Sequence, residues 1–222
     1  MNTNSNTYTI IYASVMVVIV AFILAYTSSA LKPIQDKNVE LDKMKQILNS
    51  INIDTKGQDA QELYASYIKK DMILNSKGET VAETGGFENV QSDDALTLFI
   101  AEVDGQTKYI IPLNGQGLWG AIWGYIALNE DKNTVYGTYF SHEGETPGLG
   151  SEIASAPFQK LFQGKHIKRS NKVVSIAVVK PGKTADGQDY VDGISGGTIT
   201  SVAVENMLKD NLKQYNSFLI KE

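Results

Sequence analysis

An uncharged apolar segment near the N-terminus restricts what the chain can fold into more than any other feature. The first 31 residues contain no charged side chain, and residues 10–26 (IIYASVMVVIVAFILAY) are almost wholly apolar, with tyrosines near both ends. At a rise of about 1.5 Å per residue, about 20 helical residues cross a hydrocarbon core of about 30 Å. Interfacial aromatic residues are typical of the ends of such helices. The sequence therefore predicts a membrane anchor over residues 1–31, with lipid around residues 10–30.

Processing and orientation of this segment stay open. Ser28, Ser29 and Ala30 resemble a small-residue cleavage site, so a cleaved signal peptide is an alternative. Against it, a positively charged start is missing and the apolar run exceeds the usual ~7–15 residues. Lys32 and Lys37 follow the segment, and nothing basic precedes it except the terminal amine. Charge alone therefore does not decide which side of the membrane the rest of the chain faces.

Composition narrows the classes of function. Of the 222 residues, 42% are hydrophobic and 20% are charged, which leaves enough apolar material for one folded domain beside the anchor. The net charge is −5 and no basic stripe stands out, which argues against nucleic acid as a partner. The chain has no cysteine, and His142 and His166 have no partner at metal-ligand spacing. We expect no metal site and no catalytic residue.

Hydrophobic periodicity predicts two helices after the anchor. Apolar residues recur at three- and four-residue steps over 33–51, which predicts an amphipathic helix with Pro33 at its start. A second short helix is predicted over 59–71, and the two helices form a connector over 32–71. Residues 78–94 are mostly polar with scattered glycines and predict a loop.

The rest of the chain is predicted to be rich in β-structure. The predicted strands are 96–103, 107–113, 118–128, 133–141 and 172–179, and helical segments are predicted over 148–162 and from Ile199 onward. Asp104 and Gly105 join the first two strands, which predicts a hairpin. The predicted fold class is α+β: a single N-terminal transmembrane helix followed by one domain over 72–222 with a mainly antiparallel sheet.

A glycine-rich stretch precedes the last predicted helix. Residues 192–201 read DGISGGTITS, and Ser195, Gly196, Gly197 and Thr198 fall where a loop meets the helix. Such a junction presents free backbone N–H groups and the positive end of the helix dipole, and glycine lets a phosphate come close. An anion site and an ordinary helix cap after a glycine turn both explain these residues.

A second turn-forming stretch lies about fifty residues earlier, where residues 145–150 read ETPGLG. Pro147 and Gly148 favour a tight turn. The turn can offer backbone groups and Leu149 to a flat ring, while Thr146 supplies a hydroxyl. Taken alone, this stretch indicates no more than a turn.

Together the two stretches resemble the signatures of one group of bacterial flavoproteins. Residues 192–198 resemble the D-x-x-S/T-G-A-T flavinylation motif, with Gly197 at the common alanine position, and residues 145–150 match the ETPGLG signature of FMN-binding domains. With GQGLWG at 115–120 and the anchor, the resemblance covers nearly the whole chain and is to the C subunits of sodium-translocating NADH:quinone reductases. The G subunits of Rnf complexes and a flavin-free anchored sensor or binding domain are the alternatives.

The resemblance implies an electron-transfer subunit without a complete active site of its own. It implies FMN joined through its phosphate to the hydroxyl of Thr198, with electrons passed one at a time between other redox centres. Thr200 is the rival hydroxyl, although two residues along a helix turn the side chain by roughly 200°. The FMN contacts implied by the resemblance are Asp192, Ser195, Gly196, Gly197, Thr200, Glu145, Thr146, Pro147, Gly148 and Leu149.

The resemblance also implies partners and a location. The partners are the other subunits of the redox complex and, during maturation, a Mg²⁺-dependent flavin transferase that reads Asp192. A turn carboxylate that satisfies nearby N–H groups is an equal explanation of Asp192. The location is the bacterial inner membrane, with one span and the soluble domain in the periplasm. Trp119 and Trp123 are expected to pack in the core or an interface rather than against the flavin.

Overall fold

A long N-terminal helix is the first element of the computed structural model, which describes residues 5–87 and 95–221. The chain forms two compact units, Met1–Lys43 and Met44–Glu222, and helix α1 (Asn6–Ser50) begins in the first and ends in the second. The most apolar 18-residue window of α1 has a mean hydropathy of 2.5, and none of it is buried. By length and composition α1 is able to cross a membrane.

Two predicted helix boundaries were wrong. Pro33 lies inside α1 rather than at the start of a separate helix, because a proline removes one backbone hydrogen bond without ending a helix that continues on both sides. Helix α2 (Ala60–Tyr67) ends before residue 71, since Ile68–Leu74 form strand β1, which pairs with a long neighbouring strand. Strand β1 crosses the predicted boundary at residues 71 and 72.

A six-stranded antiparallel sheet forms the centre of the second unit. The strand order is β2-β1-β3-β4-β5-β6, and every neighbouring pair is antiparallel. The predicted hairpin at Asp104 and Gly105 is confirmed; both residues have the positive φ angles, 51° and 72°, that a tight hairpin turn needs. The strands after β1 are β2 (Thr80–Ala82), β3 (Leu96–Val103), β4 (Gln106–Gln116), β5 (Ala121–Leu128) and β6 (Val135–His142).

Short elements follow the sheet. A 3₁₀ turn (Gly150–Ala154) and helix α3 (Ala156–Lys160) occupy the segment predicted to be helical. The predicted strand over 172–179 is broken near Ser175, whose φ of 67° is incompatible with a strand. The remaining elements are β7 (Lys168–Arg169), β8 (Lys172–Val173), β9 (Ala177–Val179), β10 (Tyr190–Asp192), α4 (Thr198–Gln214) and α5 (Asn216–Leu219).

Strand β2 lies in the segment predicted to be a loop, of which residues 88–94 fall outside the described part of the chain.

Strands β9 and β10 pair in parallel, so the chain reaches the start of α4 directly from a strand beside β9. The predicted α+β class with a mainly antiparallel sheet is confirmed.

Both faces of the sheet are covered. On one face α4 packs along β4, and it comes so close that a Cβ on Gly115 would lie 2.9 Å from the Cβ of Met207. On the other face Ile47, Leu48 and Ile51 join the core of β3, β4 and β5. Burial of each such side chain contributes about 1.5–3 kcal/mol. The packing of α4 on the sheet fixes the position of its first turn, where the glycine-rich stretch ends.

Candidate functional site

Three loops meet at the start of α4. The first is the tight turn between β4 and β5, in which the N–H of Gly117 donates to the carbonyl of Gly120 at 2.8 Å. The second is the loop after β6, which carries ETPGLG at residues 145–150. The third is the loop over residues 193–197, which leads from β10 into α4. All three stretches that carried the sequence resemblance therefore lie at one end of the sheet.

A single buried carboxylate joins these loops. Glu145 is only 4% exposed, and its Oε1 accepts a hydrogen bond from the backbone N–H of Trp119 at 2.9 Å. Its Oε2 accepts a hydrogen bond from the Thr200 hydroxyl at 2.6 Å. The backbone N–H of Glu145 donates to Nδ1 of His142 at 3.2 Å. One side chain thus connects the β4–β5 turn, the ETPGLG loop and α4.

These hydrogen bonds keep Glu145 anionic. Burial alone would raise the pKa of its carboxyl group, but the donors on the Thr200 hydroxyl and on the N–H groups of Trp119 and Leu118 hold the pKa below its ordinary value. Over residues 5–87 and 95–221, no lysine or arginine forms an ion pair with Glu145. The site therefore contains a buried negative charge held by neutral dipoles.

Two glycines leave room for this carboxylate. A Cβ on Gly117 would lie 2.5 Å from Oε1 of Glu145. A Cβ on Gly150 would collide with Oε2 of Glu145 and with the Thr200 hydroxyl. Neither glycine has a positive φ, so close approach and not backbone freedom explains the residue type at both positions.

The first turn of α4 separates its two threonine hydroxyls. Thr198 is the first residue of α4 and is exposed, whereas Thr200 is 2% exposed and donates to Glu145. Gly197 occupies the N-cap position, and no described side chain caps the helix. Gly196 has a φ of 79°, and a Cβ there would lie 2.7 Å from Cδ2 of Leu149. The loop thus needs glycine at 196 and leaves the first N–H groups of α4 without a side-chain acceptor.

Thr198 and Gly196 line two clefts, one on each side of the loop. The β9 cleft has a volume of about 310 Å³ and is lined by the end of β9, Lys180, Pro181, Ser195 and Val202, among others. The Glu145 cleft has a volume of about 250 Å³ and is lined by Leu118, Glu145, Thr146, Leu149 and Ile199, among others. Leu118, Leu149 and Ile199 are substantially exposed and give the second cleft an apolar rim.

The structure brings most of the predicted site residues together. Those that line the Glu145 cleft are Glu145, Thr146, Leu149, Gly196, Gly197, Thr198 and Thr200. Ser195 lines the β9 cleft. Pro147, Gly148 and Asp192 line neither of the two clefts as described; Gly148 forms the predicted turn, with a φ of 74° and its N–H donating to Ser151 Oγ at 3.1 Å, and Asp192 is exposed at the end of β10.

Sequence reasoning missed several residues at this site. Leu118 and Ile199 sit next to recognised residues, so their apolar character in otherwise polar or small-residue surroundings was the available signal. Lys180 reaches the site only through the parallel pairing of β9 and β10, which has no local signature. Trp119 is 68% exposed at the turn, so it does not pack in the core of this chain, and its packing in an interface stays a prediction. Trp123 is half-buried on β5, where its Nε1 donates to Gln46 Oε1 at 3.1 Å.

Comparison with known proteins assigns this arrangement to one family. The model of the FMN-binding domain matches residues 117–213. The C subunit of the Na⁺-translocating NADH-quinone reductase of Haemophilus ducreyi is 32% identical over 94% of this chain and 90% of its own length. The crystal structure of the same subunit from Parabacteroides distasonis is 48% identical, with a TM-score of 0.83 over 86% of this chain and 98% of that one.

A third similarity shows the fold alone. The structure of Shewanella oneidensis NqrC superposes with a TM-score of 0.69 at 22% identity, over 82% of this chain and 97% of that one. The family predicted from the sequence signatures is confirmed by the identities and coverage of the closer relatives. The chain belongs to the family formed by the C subunits of the Na⁺-translocating NADH-quinone reductases.

Proposed function

We propose that this chain is the membrane-anchored flavoprotein subunit of a sodium-translocating NADH-quinone reductase, with FMN bound by a phosphoester to Thr198. The family membership and the match to the FMN-binding domain over residues 117–213 support the flavoprotein assignment. The observation that carries the attachment site is the position of Thr198. Its hydroxyl-bearing side chain is exposed at the first position of α4, behind a glycine loop and between two clefts.

The loop before α4 fits the phosphate end of FMN. Gly197 caps α4 through its backbone only, so the N–H groups of the first helical turn are open to a phosphate, which the helix dipole also favours. Because Gly196 has no side chain, a phosphate can approach the backbone of the loop closely. A Cβ at this position would also strike the side chain of Leu149. A phosphate on Thr198 would therefore meet backbone donors rather than side-chain bulk.

The neighbouring cleft fits a flat ring. Its volume of about 250 Å³ lies slightly below the usual range of ligand pockets, about 300–1,000 Å³, and the cleft is open to solvent along its rim. Leu118, Leu149 and Ile199 supply apolar surface, and Thr146 supplies a hydroxyl. FMN, when bound, supplies the redox chemistry, since it accepts and gives electrons one at a time. The chain holds and orients the group and leaves it accessible to partner subunits.

Thr198 serves as the attachment residue and not as a catalyst. Thr200 is unsuited to that role because its hydroxyl is buried and donates to Glu145. At roughly 100° per residue, positions 198 and 200 point to different sides of α4, so one phosphate cannot reach both equally. Attachment at Thr198 leaves the hydrogen bond that holds α4 to the ETPGLG loop intact.

The family and helix α1 support the following proposal for partners and location. Helix α1 anchors the chain in the inner membrane of a bacterium, and the FMN-bearing domain lies on the periplasmic side. Other subunits of the complex provide the electron donor and acceptor. A flavin transferase attaches FMN and reads the exposed loop that starts at Asp192. Sodium crosses through partner subunits, because residues 10–26 carry no charged side chain that could form an ion path.

Peptide mass spectrometry tests the attachment. The full chain is co-expressed with a flavin transferase, purified in detergent and denatured. The band is then examined for in-gel flavin fluorescence, and the peptides are examined for one that carries FMN less one water. We expect modification at Thr198, its loss in Thr198→Ala, and its retention in Thr198→Ser and Thr200→Val. Flavin retained in Thr198→Ala but lost in Thr200→Val would move the site to Thr200, and an unmodified wild-type chain would refute the proposed function.

A further inference from the structure

We propose that Glu145 lowers the reduction potential of the flavin, because its carboxylate places a fixed negative charge in the Glu145 cleft. This inference rests on the proposed function and assigns to Glu145 a role beyond that of a contact. The juxtaposition that carries it is a buried anionic carboxylate in the same cleft as Thr198.

The charge on Glu145 is not neutralised by a neighbouring cation. Its hydrogen-bond partners are the N–H of Trp119 and the hydroxyl of Thr200, which are neutral dipoles. In the described part of the chain, the ion pairs are formed by other residues. Dipoles stabilise the carboxylate without cancelling its net charge, so its field extends into the adjoining cleft.

The position of the charge is fixed. The two carboxylate oxygens are held by two different parts of the fold, one by the β4–β5 turn at 2.9 Å and the other by α4 at 2.6 Å. Gly117 and Gly150 lie so close that the carboxylate fills the space a Cβ would take at either position. A rotated side chain would lose both hydrogen bonds inside the protein, which is costly for a buried charge. The negative charge therefore stays at one wall of the cleft.

The signatures of the family favour this cleft over the β9 cleft as the place of the flavin ring. Both GLWG and ETPGLG contribute to its lining, through Leu118 and through Glu145, Thr146 and Leu149. The β9 cleft carries a charge of the opposite sign, Lys180. Removing the nearby charge should therefore change the reduction potential of the flavin in opposite directions for a ring in the Glu145 cleft and a ring in the β9 cleft.

The expected effect follows from the charge change on reduction. Each electron adds one negative charge to the flavin ring unless the solvent supplies a proton, and a nearby carboxylate disfavours that addition. A unit charge at about 10 Å, with an effective dielectric constant of about 20, changes an equilibrium constant roughly tenfold. For a one-electron step, that fold-change corresponds to about 59 mV.

The experiment is a reductive titration of the flavin-bearing full chain in detergent micelles at pH 7. Dithionite supplies the electrons and is oxidised, the buffer supplies protons, and a reference dye reports the potential. Glu145→Gln keeps an oxygen for the N–H of Trp119 and an amide beside Thr200, but removes the charge. We expect its potential to rise by about 59 mV for a roughly tenfold change in the one-electron equilibrium.

Two controls separate charge from structure and one cleft from the other. Thr200→Val removes a hydrogen bond but keeps the charge, so its potential should shift much less than that of Glu145→Gln. Lys180→Gln removes a positive charge from the adjoining β9 cleft and should lower the potential by less than Glu145→Gln raises it. An equal rise in Thr200→Val, no rise in Glu145→Gln, or a fall in Lys180→Gln larger than the rise in Glu145→Gln would each overturn the inference. If the wild-type chain carried no flavin at all, the proposed function would fail instead.

A second variant covers the case in which glutamine at 145 prevents flavin attachment. The double substitution Glu145→Leu with Thr200→Val removes the carboxylate together with its hydroxyl donor, so that no hydroxyl is left facing an apolar side chain, while the backbone N–H of Trp119 loses this acceptor. Its potential should rise as in Glu145→Gln, and an unchanged potential would overturn the inference. Thermal unfolding of the flavin-free chains gives an independent measure of the structural cost of each substitution.

Discussion

The hydrogen bond between Thr200 and Glu145 provides the sharpest test of how the site is held together. Thr200→Val replaces the hydroxyl by a methyl group of similar shape, so the packing of this buried position is nearly kept. The Oε2 atom of Glu145 then loses a donor at 2.6 Å, while Oε1 keeps the N–H of Trp119. The substitution therefore isolates one contact between α4 and the ETPGLG loop.

The expected magnitude comes from the charge on the acceptor. A hydrogen bond to a charged group contributes about 1.5–3 kcal/mol to stability, against about 0.5–1.5 kcal/mol for a neutral one. The chain offers a matched control in Thr138, also buried, whose hydroxyl donates to the neutral carbonyl of Gln159 at 3.0 Å. With a shift of about 2–4 °C per kcal/mol for a domain of this size, Thr200→Val should lower Tm by about 3–12 °C. Thr138→Val should lower it by about 1–6 °C.

Thermal unfolding of the full flavin-free chain in detergent, followed by near-ultraviolet circular dichroism, measures both variants under one condition. Charge screening affects the buried bond little, so the difference should persist at high salt. A loss in Thr200→Val no larger than that in Thr138→Val would refute the assignment of an ionised Glu145 as the acceptor.

Three further predictions concern the same domain. Gly150→Ala should cost about 1–3 kcal/mol, because its Cβ would strike the Glu145 carboxylate, whereas Gly144→Ala, with open space at its Cβ, should be nearly neutral. The pKa of Glu145 is lowered in the folded state, so its stabilisation relative to Glu145→Gln should be complete above about pH 4.3 and decline as pH falls through the folded-state pKa. Tyr215→Phe should cost about 0.5–1.5 kcal/mol, because the phenol donates to the carbonyl of Thr97 at 2.6 Å.

Denaturant unfolding checks these three. Equal stability of the two alanine variants would contradict the close approach of Gly150 to the carboxylate. A wild-type advantage over Glu145→Gln that grew on acidification would have the wrong sign for a depressed carboxyl pKa. An unchanged midpoint in Tyr215→Phe would mean that water replaces the lost bond.

The sequence predicted the elements that depend on local patterns and missed those that depend on partners. Strands β3 to β6 and helix α4 follow from periodicity over eight or more residues. The first part of strand β1, up to Asp71, was predicted to be helical, since its two lysines suit a helix and only pairing with β3 makes it a strand. Strand β2 has three residues, too few to carry a pattern.

The site followed the same division. Glycines, Pro147 and the threonines form local signatures, so their positions were predictable. The contacts of Glu145 were not, because they join it to residues 26 and 55 positions away and depend on how α4 packs on the sheet. The exposure of Trp119 was unpredictable for a related reason: residues 117–120 turn back before β5 begins, which no alternation of side chains reveals.

The structure also explains why two threonines two residues apart are not interchangeable. The hydroxyl at the third position of α4 is buried and meets the carboxylate of Glu145, which can only accept hydrogen bonds. A hydroxyl at the first position faces away, beside a loop whose glycines exclude any other side chain. The buried hydroxyl of Thr200 is thus engaged in a hydrogen bond with Glu145, whereas the exposed hydroxyl of Thr198 stays accessible. On the proposed function, a flavin transferase would meet an exposed hydroxyl on Thr198 and a buried one on Thr200, so the choice between these two threonines would follow from the folded domain.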